Sequence, residues 1–192
     1  MKIILGSQSA ERAEILKAAG YDFEVMPADI DERAIRNDDP KELTLALARA
    51  KRDALLPEIR EPVILITSDL IILSDGKVRE KPANEAEARL FLETVSLYPQ
   101  ESVSAVVVTN TANGKSGEGV DMAQAILKKI PKEVIDEYIA SGDCYLHAGG
   151  FTISHPLIQP YIEKCIGSPD TIRGMPVELI EKLISEVERD GV

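Results

Sequence analysis

The stretch ILITSDLIIL, residues 64–73, places one ionised carboxylate, Asp69, inside an otherwise apolar run. Runs of this kind predict a central strand buried on both faces. A lone buried carboxylate is costly unless it is paired, hydrogen-bonded or bound to a metal. Asp69 is therefore either a structural group bonded to backbone amides at a strand end, or a functional acid or ligand. Other segments carry complementary chemistry. GSQSAER, residues 6–12, joins a first strand to a helix start, where free N–H groups and the helix dipole favour an anion. Ser7 and Ser9 add hydroxyls there, and Arg12 adds a cationic fork suited to phosphate. The same segment also reads as an ordinary turn with an N-cap. ADIDERAI, residues 28–35, gathers Asp29, Asp31 and Glu32, hard oxygen ligands of the kind Mg²⁺ or Mn²⁺ takes. Its spacing matches no EF-hand, and a solvated acidic loop has the same composition. Lys51 lies in LALARAKRDAL, on a helix whose other face is apolar, and Lys81 lies in REKPANEAEA, ahead of a helix start. Each alone reads as a surface lysine. His147 and His155 have no metal partner at useful spacing and read as structural or rim residues.

The elements that must position these residues follow from pattern and punctuation. Met1 to Leu5 reads as a strand ending at Gly6-Ser7, and residues 10–19 as a helix capped by Ser9 and closed by Gly20. A weak strand is expected over 21–26 and a charged loop over 28–38. Asp39, Pro40 and Glu42 have the spacing of a capping box with Pro at the first helical position, predicting a helix over 40–56. The strand containing Asp69 should run from Pro62 to Leu73 and end in the turn Ser74-Asp75-Gly76-Lys77. Asn84 with Glu87 marks a helix to about Val95. Val103 to Thr111 and residues 117–127 should pair as a hairpin through Asn113-Gly114. Helices are expected over 131–141 and 176–188, with a short strand over 149–154 between them. Alternating strands and helices with one hairpin predict an α/β fold with a mixed sheet, in a single domain over residues 1–192.

Composition bounds the function. A formal net charge of −11 argues against loose binding to nucleic acid or anionic membranes, which needs a basic field. A small anionic substrate then requires a local cluster of Lys and Arg, or a bridging metal. Aromatics are scarce and Trp is absent, so the core must be built from Ile, Leu, Val and Ala. Cys144 and Cys165 form no CxxC pair or His/Cys cluster and read as reduced, intracellular thiols. No apolar run approaches the ~20 residues of a membrane span, and MKIILGSQS is too short for a signal peptide. A cytoplasmic protein is expected.

In this order the segments resemble the Maf family of nucleoside-triphosphate pyrophosphatases. GSQSAERAEIL is similar to the family's Ser-x-Ser-Pro-Arg-Arg entry into a helix: Ser7, Ser9, Arg12 and Glu14 match. DIDE corresponds to its Asp-Glu loop and gives Glu32; LARAK gives Lys51; SDLII gives Asp69; EKPANEAEA gives Lys81 and Pro82. EYIASGD, HAGGFTI and GSPDTIRGMPVELI resemble its later segments, so the match spans nearly the whole chain. The resemblance implies a mixed, twisted sheet flanked by helices, with two lobes around a central cleft, and usually a homodimer. It implies hydrolysis of a nucleoside triphosphate between the α and β phosphorus atoms, giving the monophosphate and pyrophosphate, with a divalent metal, Mg²⁺ or Mn²⁺. Ser7, Ser9, Arg12, Lys51 and Lys81 would hold the triphosphate. Glu32 and Asp69 would bind the metal and orient water, with Asp69 the favoured proton acceptor at a strand's exposed end. The role implied is removal of noncanonical or surplus nucleotides.

The departures from the family pattern bear on the base. Glu11 replaces an arginine, Leu70 a threonine and Ser154 a glutamine at positions that resemble the family's base-selecting sites. Members with the usual trio act on dTTP and UTP, a preference that does not carry over here. Glu11 can accept hydrogen bonds from cytosine, guanine or a methylated purine. Glu80 for glycine and His147 for lysine also depart, and residues 97–104 lack the family's Gly-x-x-His pattern. A second reading is a catalytically weak nucleotide-binding regulator linked to cell division. A dinucleotide-binding enzyme is disfavoured because the first turn is GSQS rather than GxGxxG.

Overall fold

The computed structural model describes residues 1–189, so residues 190–192 of the expected 1–192 domain lie outside the described residues. In chain order the elements are β1 (Lys2–Gly6), α1 (Ala10–Ala18), β2 (Glu24–Val25), α2 (Pro40–Leu55), β3 (Val63–Ser74), β4 (Lys77–Val78) and α3 (Glu85–Thr94). They continue as β5 (Gln100–Asn110), β6 (Lys115–Leu127), α4 (Lys132–Ser141), β7 (Ile162–Ile166), α5 (Pro169–Ile172) and α6 (Val177–Glu188). The strands form one seven-stranded sheet in the order β2-β1-β3-β5-β6-β7, with β4 paired to β3. Parallel and antiparallel pairs both occur, so the mixed, helix-flanked α/β fold expected from the sequence is the fold observed. No helix among the described residues is long and apolar enough to cross a membrane.

The chain divides into two compact units. The first holds Met1–Asp69, Ser104–Asp121 and the chain from Gly174 on. Here β1 runs parallel to β2 and to β3, with Gly6 opposite Thr67. Strand alternation sorts the core into two layers. Ile64, Ile66, Val106 and Val108 pack with Ile15 and Leu16 of α1 and Ile180, Leu183 and Val187 of α6. On the other side Val63 and Leu65 meet Leu55 of α2, and Ala105 and Val107 meet Leu45 and Ala48 of the same helix. Gly6 makes the α2 contact possible: a Cβ there would lie 2.7 Å from both Leu55 Cδ1 and Thr67 Cγ2. Asp39 caps α2 as expected, its carboxylate accepting from the Lys41 N–H at 2.8 Å. The reciprocal half of the expected capping box is not made by Glu42. The Asp39 N–H donates to Asn37 Oδ1 at 2.9 Å, because that nearer amide satisfies it first. The hairpin between β5 and β6 forms, but through a loop over residues 111–114 in which only Gly114 has positive φ. The Gly114 N–H closes on the Asn110 carbonyl at 2.9 Å.

The second unit holds Leu70–Val103 and Met122–Arg173. Its core joins Ala88 and Leu92 of α3 to Ile135, Tyr138 and Ile139 of α4 and to Ala123, Ala125 and Leu127 of β6. The turn from β3 to β4 has positive φ at both Asp75 and Gly76, the pairing a tight hairpin demands. Asn84 caps α3 by accepting from the Glu87 N–H at 3.0 Å, and Glu87 accepts from the Ala83 N–H at 2.7 Å. The expected strand over 149–154 is absent. Gly149 and Gly150 both have positive φ, which no strand sustains, and the segment is a 3₁₀ turn followed by irregular chain and a turn. The glycines serve close packing instead. The Gly149 N–H donates to the Arg79 and Glu80 carbonyls at 3.2 Å each, and a Cβ on Gly150 would touch Pro82 and Phe91. They therefore anchor the turn that carries Lys81. A strand the sequence pattern missed, β7, pairs antiparallel with β6 further on.

Candidate active site

The register of β1 against β3 sets Ser7, the residue after Gly6, level with Ser68, the residue after Thr67. At that level α1 begins. The Ser9 hydroxyl accepts the Arg12 N–H at 3.3 Å, and the Ser9 N–H donates to Ser7 Oγ at 3.2 Å, so the GSQS turn is internally braced. Arg12 then reaches back. Its Nη1 donates to the Ser68 carbonyl at 2.9 Å and approaches Ser7 Oγ at 3.5 Å. Burial pulls the Arg12 pKa down from its ordinary value, while the negative charges of Asp69, Glu32 and Glu11 oppose that shift. A guanidinium starts so far above neutrality that it stays a cation.

Asp69 follows Ser68 and, by alternation, points to the α2 side of β3. Thr67 shows that side's partner: its hydroxyl donates to the Ala48 carbonyl of α2 at 2.9 Å. Lys51 lies one turn beyond Ala48 and one turn before Leu55, on the helix stripe that faces the sheet. Its ammonium meets Asp69 Oδ1 at 2.5 Å and Glu32 Oε1 at 2.8 Å. The Lys51 and Asp69 side chains are 11% and 10% exposed, whereas Glu32 is 56% exposed, so the cluster is buried at one end and wet at the other. Glu32 is held by a 3₁₀ turn, Glu32–Ala34. Asp31 caps that turn by accepting from the Arg33 N–H at 3.1 Å, and Arg36 donates to the Glu32 carbonyl at 3.3 Å.

Of the residues singled out in sequence, the first unit thus brings Ser7, Ser9, Arg12, Glu32, Lys51 and Asp69 into one cluster, with Glu11 on the first turn of α1 beside Arg12. Asp69 is not at the end of its strand. β3 continues to Ser74, and what makes the carboxylate tolerable is an ion pair rather than backbone amides. Asp31, grouped with Glu32 as a possible ligand, spends an oxygen on its own turn. Lys81, Leu70 and Ser154 belong to the second unit. There Lys81 is exposed beside buried Pro82, Leu70 is half-buried, and the Ser154 hydroxyl lies 2.9 Å from that of Thr152. His155 pairs with Asp143 at 3.2 Å and meets the Tyr138 ring in a tilted contact, centroids 4.6 Å apart, a structural role as expected. Ser68 was missed, because what it offers Arg12 is its backbone carbonyl, which side-chain reasoning does not see; its hydroxyl donates instead to Met175 Sδ at 3.8 Å.

The donor set can be tested against the implied metal. Two carboxylates converge on one cation, here an ammonium. Among the described residues no group of three or more His, Cys, Asp and Glu could hold a metal. Mg²⁺ characteristically takes one or two carboxylates and fills its other positions with water and substrate phosphate oxygens. The residues fit a hard divalent cation shared with a phosphate-bearing ligand, not one caged by protein alone.

Fold and cluster together define an α/β protein with a charged site built where a Gly-Ser turn enters a helix. The whole-chain comparison says which. The chain matches the model described as Maf-like protein over residues 2–187, and it belongs to that family. The 7-methyl-GTP pyrophosphatase of Dictyostelium discoideum is 42% identical over 194 residues, covering 97% of this chain and 98% of that protein. A nucleoside triphosphate pyrophosphatase of Synechococcus sp. (strain JA-2-3B'a(2-13)) is 30% identical, covering 96% of this chain and 93% of its own. The dTTP/UTP pyrophosphatase of Alkaliphilus metalliredigens is 30% identical, covering 92% and 91%.

Proposed function

We propose that this chain is a nucleoside-triphosphate pyrophosphatase that cleaves the α–β phosphoanhydride and releases a nucleoside monophosphate and pyrophosphate. The observation that carries the reading is the ion-pair cluster of Lys51 with Asp69 and Glu32 beside Arg12 and the Ser7 turn. The names of the family relatives support it. Phosphoryl transfer needs mainly positioning and neutralisation of charge. Arg12 is fixed by the Ser68 carbonyl and presents a guanidinium at the helix start, where phosphate oxygens are also favoured by the helix dipole. Ser7, Ser9, Lys51 and Lys81 supply further donors to the triphosphate. Asp69 accepts the proton of the attacking water as its oxygen bonds to the α phosphorus, and the bridging oxygen departs with pyrophosphate. Glu32, the exposed carboxylate, orients that water. Asp69 and Glu32 would also hold Mg²⁺ or Mn²⁺, which when bound neutralises phosphate charge and lowers the pKa of the attacking water.

For the base, Glu11 supports a guanine nucleotide. A carboxylate offers two acceptors in the spacing that guanine's N1–H and N2–H₂ present, and it favours the positive charge of a 7-methylated ring. The D. discoideum relative's name is consistent with that choice. The family resemblance also nominates Leu70 and Ser154 as base-selecting residues. The reading carries with it a cytoplasmic homodimer acting on free nucleotides rather than on nucleic acid or membranes, as the family resemblance and the acidic charge support. The regulator reading is not favoured, since the relatives named above all bear enzyme names. The test is a panel of triphosphates, including 7-methyl-GTP, GTP, CTP, dTTP and UTP, with pyrophosphate release as readout. 7-methyl-GTP is expected to lead, and dTTP as best substrate would refute the base assignment.

A further inference from the structure

The position of Lys51 does not suit a lysine whose only task is to hold phosphate. Its ammonium is almost enclosed and already sits on one oxygen each of Asp69 and Glu32. Those are the carboxylates that fit a divalent cation, and two cations cannot share the same oxygens without strong repulsion. Arg12 cannot be the group that yields, because Ser68 and Ser7 tie its guanidinium in place. Lys51 can yield: it is a point charge on a flexible four-carbon stem with three rotatable donors. Moving it off the carboxylates with nothing to receive it would leave a charge stranded near the helix–sheet junction, which is costly.

Resting on the pyrophosphatase reading above, we propose that Lys51 is a placeholder cation. It neutralises Asp69 and Glu32 in the free protein and passes to the triphosphate when nucleotide enters, vacating their oxygens for the divalent cation. Cation and nucleotide then bind as a coupled pair, each strengthening the other by the same factor. The arrangement keeps the acid pair quenched until substrate is present.

The probe is Mn²⁺, whose free concentration is read from its paramagnetic resonance signal during titration of the full chain. Titrations are run with and without α,β-methylene GTP, which cannot be cleaved between the α and β phosphorus atoms. Without nucleotide, Lys51→Met is expected to bind Mn²⁺ at least tenfold more tightly than wild type, and Lys51→Arg to stay near wild type. Lys51→Gln serves in place of Lys51→Met if that variant does not fold. After subtraction of the Mn²⁺ that the analogue chelates in a protein-free titration, wild type is expected to gain at least tenfold in Mn²⁺ affinity when the analogue is added, and Lys51→Met to gain less. Charge-removed variants that bind Mn²⁺ no better than wild type overturn the placeholder, as does a wild type whose Mn²⁺ affinity ignores the analogue. Pyrophosphate release measured alongside separates the two ideas. Turnover with unchanged Mn²⁺ binding defeats the placeholder alone, whereas no turnover on any triphosphate defeats the pyrophosphatase reading.

Discussion

Asp69 is the residue on which the account turns. It is a carboxylate in the interior of a central strand, stabilised by one lysine from the helix packed beneath it. Asp69→Asn keeps the shape and loses the proton acceptor, so kcat should fall by at least about a hundredfold, the scale of general-base catalysis. Nucleotide binding, followed by calorimetry with an uncleavable analogue, should remain. Glu11 carries a different prediction. Glu11→Arg restores the residue type that dTTP- and UTP-acting members carry, and the ratio of kcat/KM for guanine over thymine nucleotides should fall at least tenfold. These residues were legible in the sequence as types, because a charge in an apolar run and serines before a helix are conspicuous. Their meeting was not. Glu32, Lys51 and Asp69 follow no shared period, so only the family resemblance joined them before their distances did. Ser68 was illegible because its contribution is a backbone carbonyl.

At the scale of elements, the site depends on how closely β1, β3 and α2 approach. Gly6→Ala would place a Cβ within 2.7 Å of Leu55 and Thr67. Overpacking of this kind costs about 1–3 kcal/mol, and the loss should appear in urea unfolding together with a raised KM, since Ser7 is the next residue. Asn84→Ala removes the cap of α3 and should cost about 1 kcal/mol. The pair of Arg49 with Glu118 ties α2 to β6, and hydrogen bonding to Arg49 holds the Glu118 carboxyl below its ordinary range. A carboxyl depressed in the folded state contributes stability above its unfolded pKa and loses it as pH falls through the folded one. Both partners are more than a third exposed, so Glu118→Gln should cost under about 1 kcal/mol at neutral pH, and less still in acid. Helix starts and hairpins were legible because caps and turns are local chemistry: Ser9, Asp39 and Asn84 all stand where expected. The glycine pair at 149–150 misled, since a short apolar stretch after Gly-Gly looks like a strand while positive φ at both positions forbids one. β7 was missed because its alternation is weak, with Glu163 and Lys164 side by side in an edge strand.

At the scale of the whole chain, charge and thiols set the conditions for function. A net charge of −11 gives no long-range attraction for a triphosphate, so recognition rests on the few cations of the site. Cys144 is buried and Cys165 half-buried, both are free, and burial pushes both thiols above their ordinary pKa. Neither is activated as a nucleophile, and activity should be the same with and without reductant over the course of an assay. The family assignment rests on a match over residues 2–187, and the catalytic claim rests on a single bond. The most direct test is therefore the identity of the products. Incubated with 7-methyl-GTP and Mn²⁺ in ¹⁸O-water, the wild-type protein should yield pyrophosphate and a monophosphate carrying the label, and Asp69→Asn should yield almost neither. Release of orthophosphate with a nucleoside diphosphate, or equal turnover by Asp69→Asn, would contradict the account.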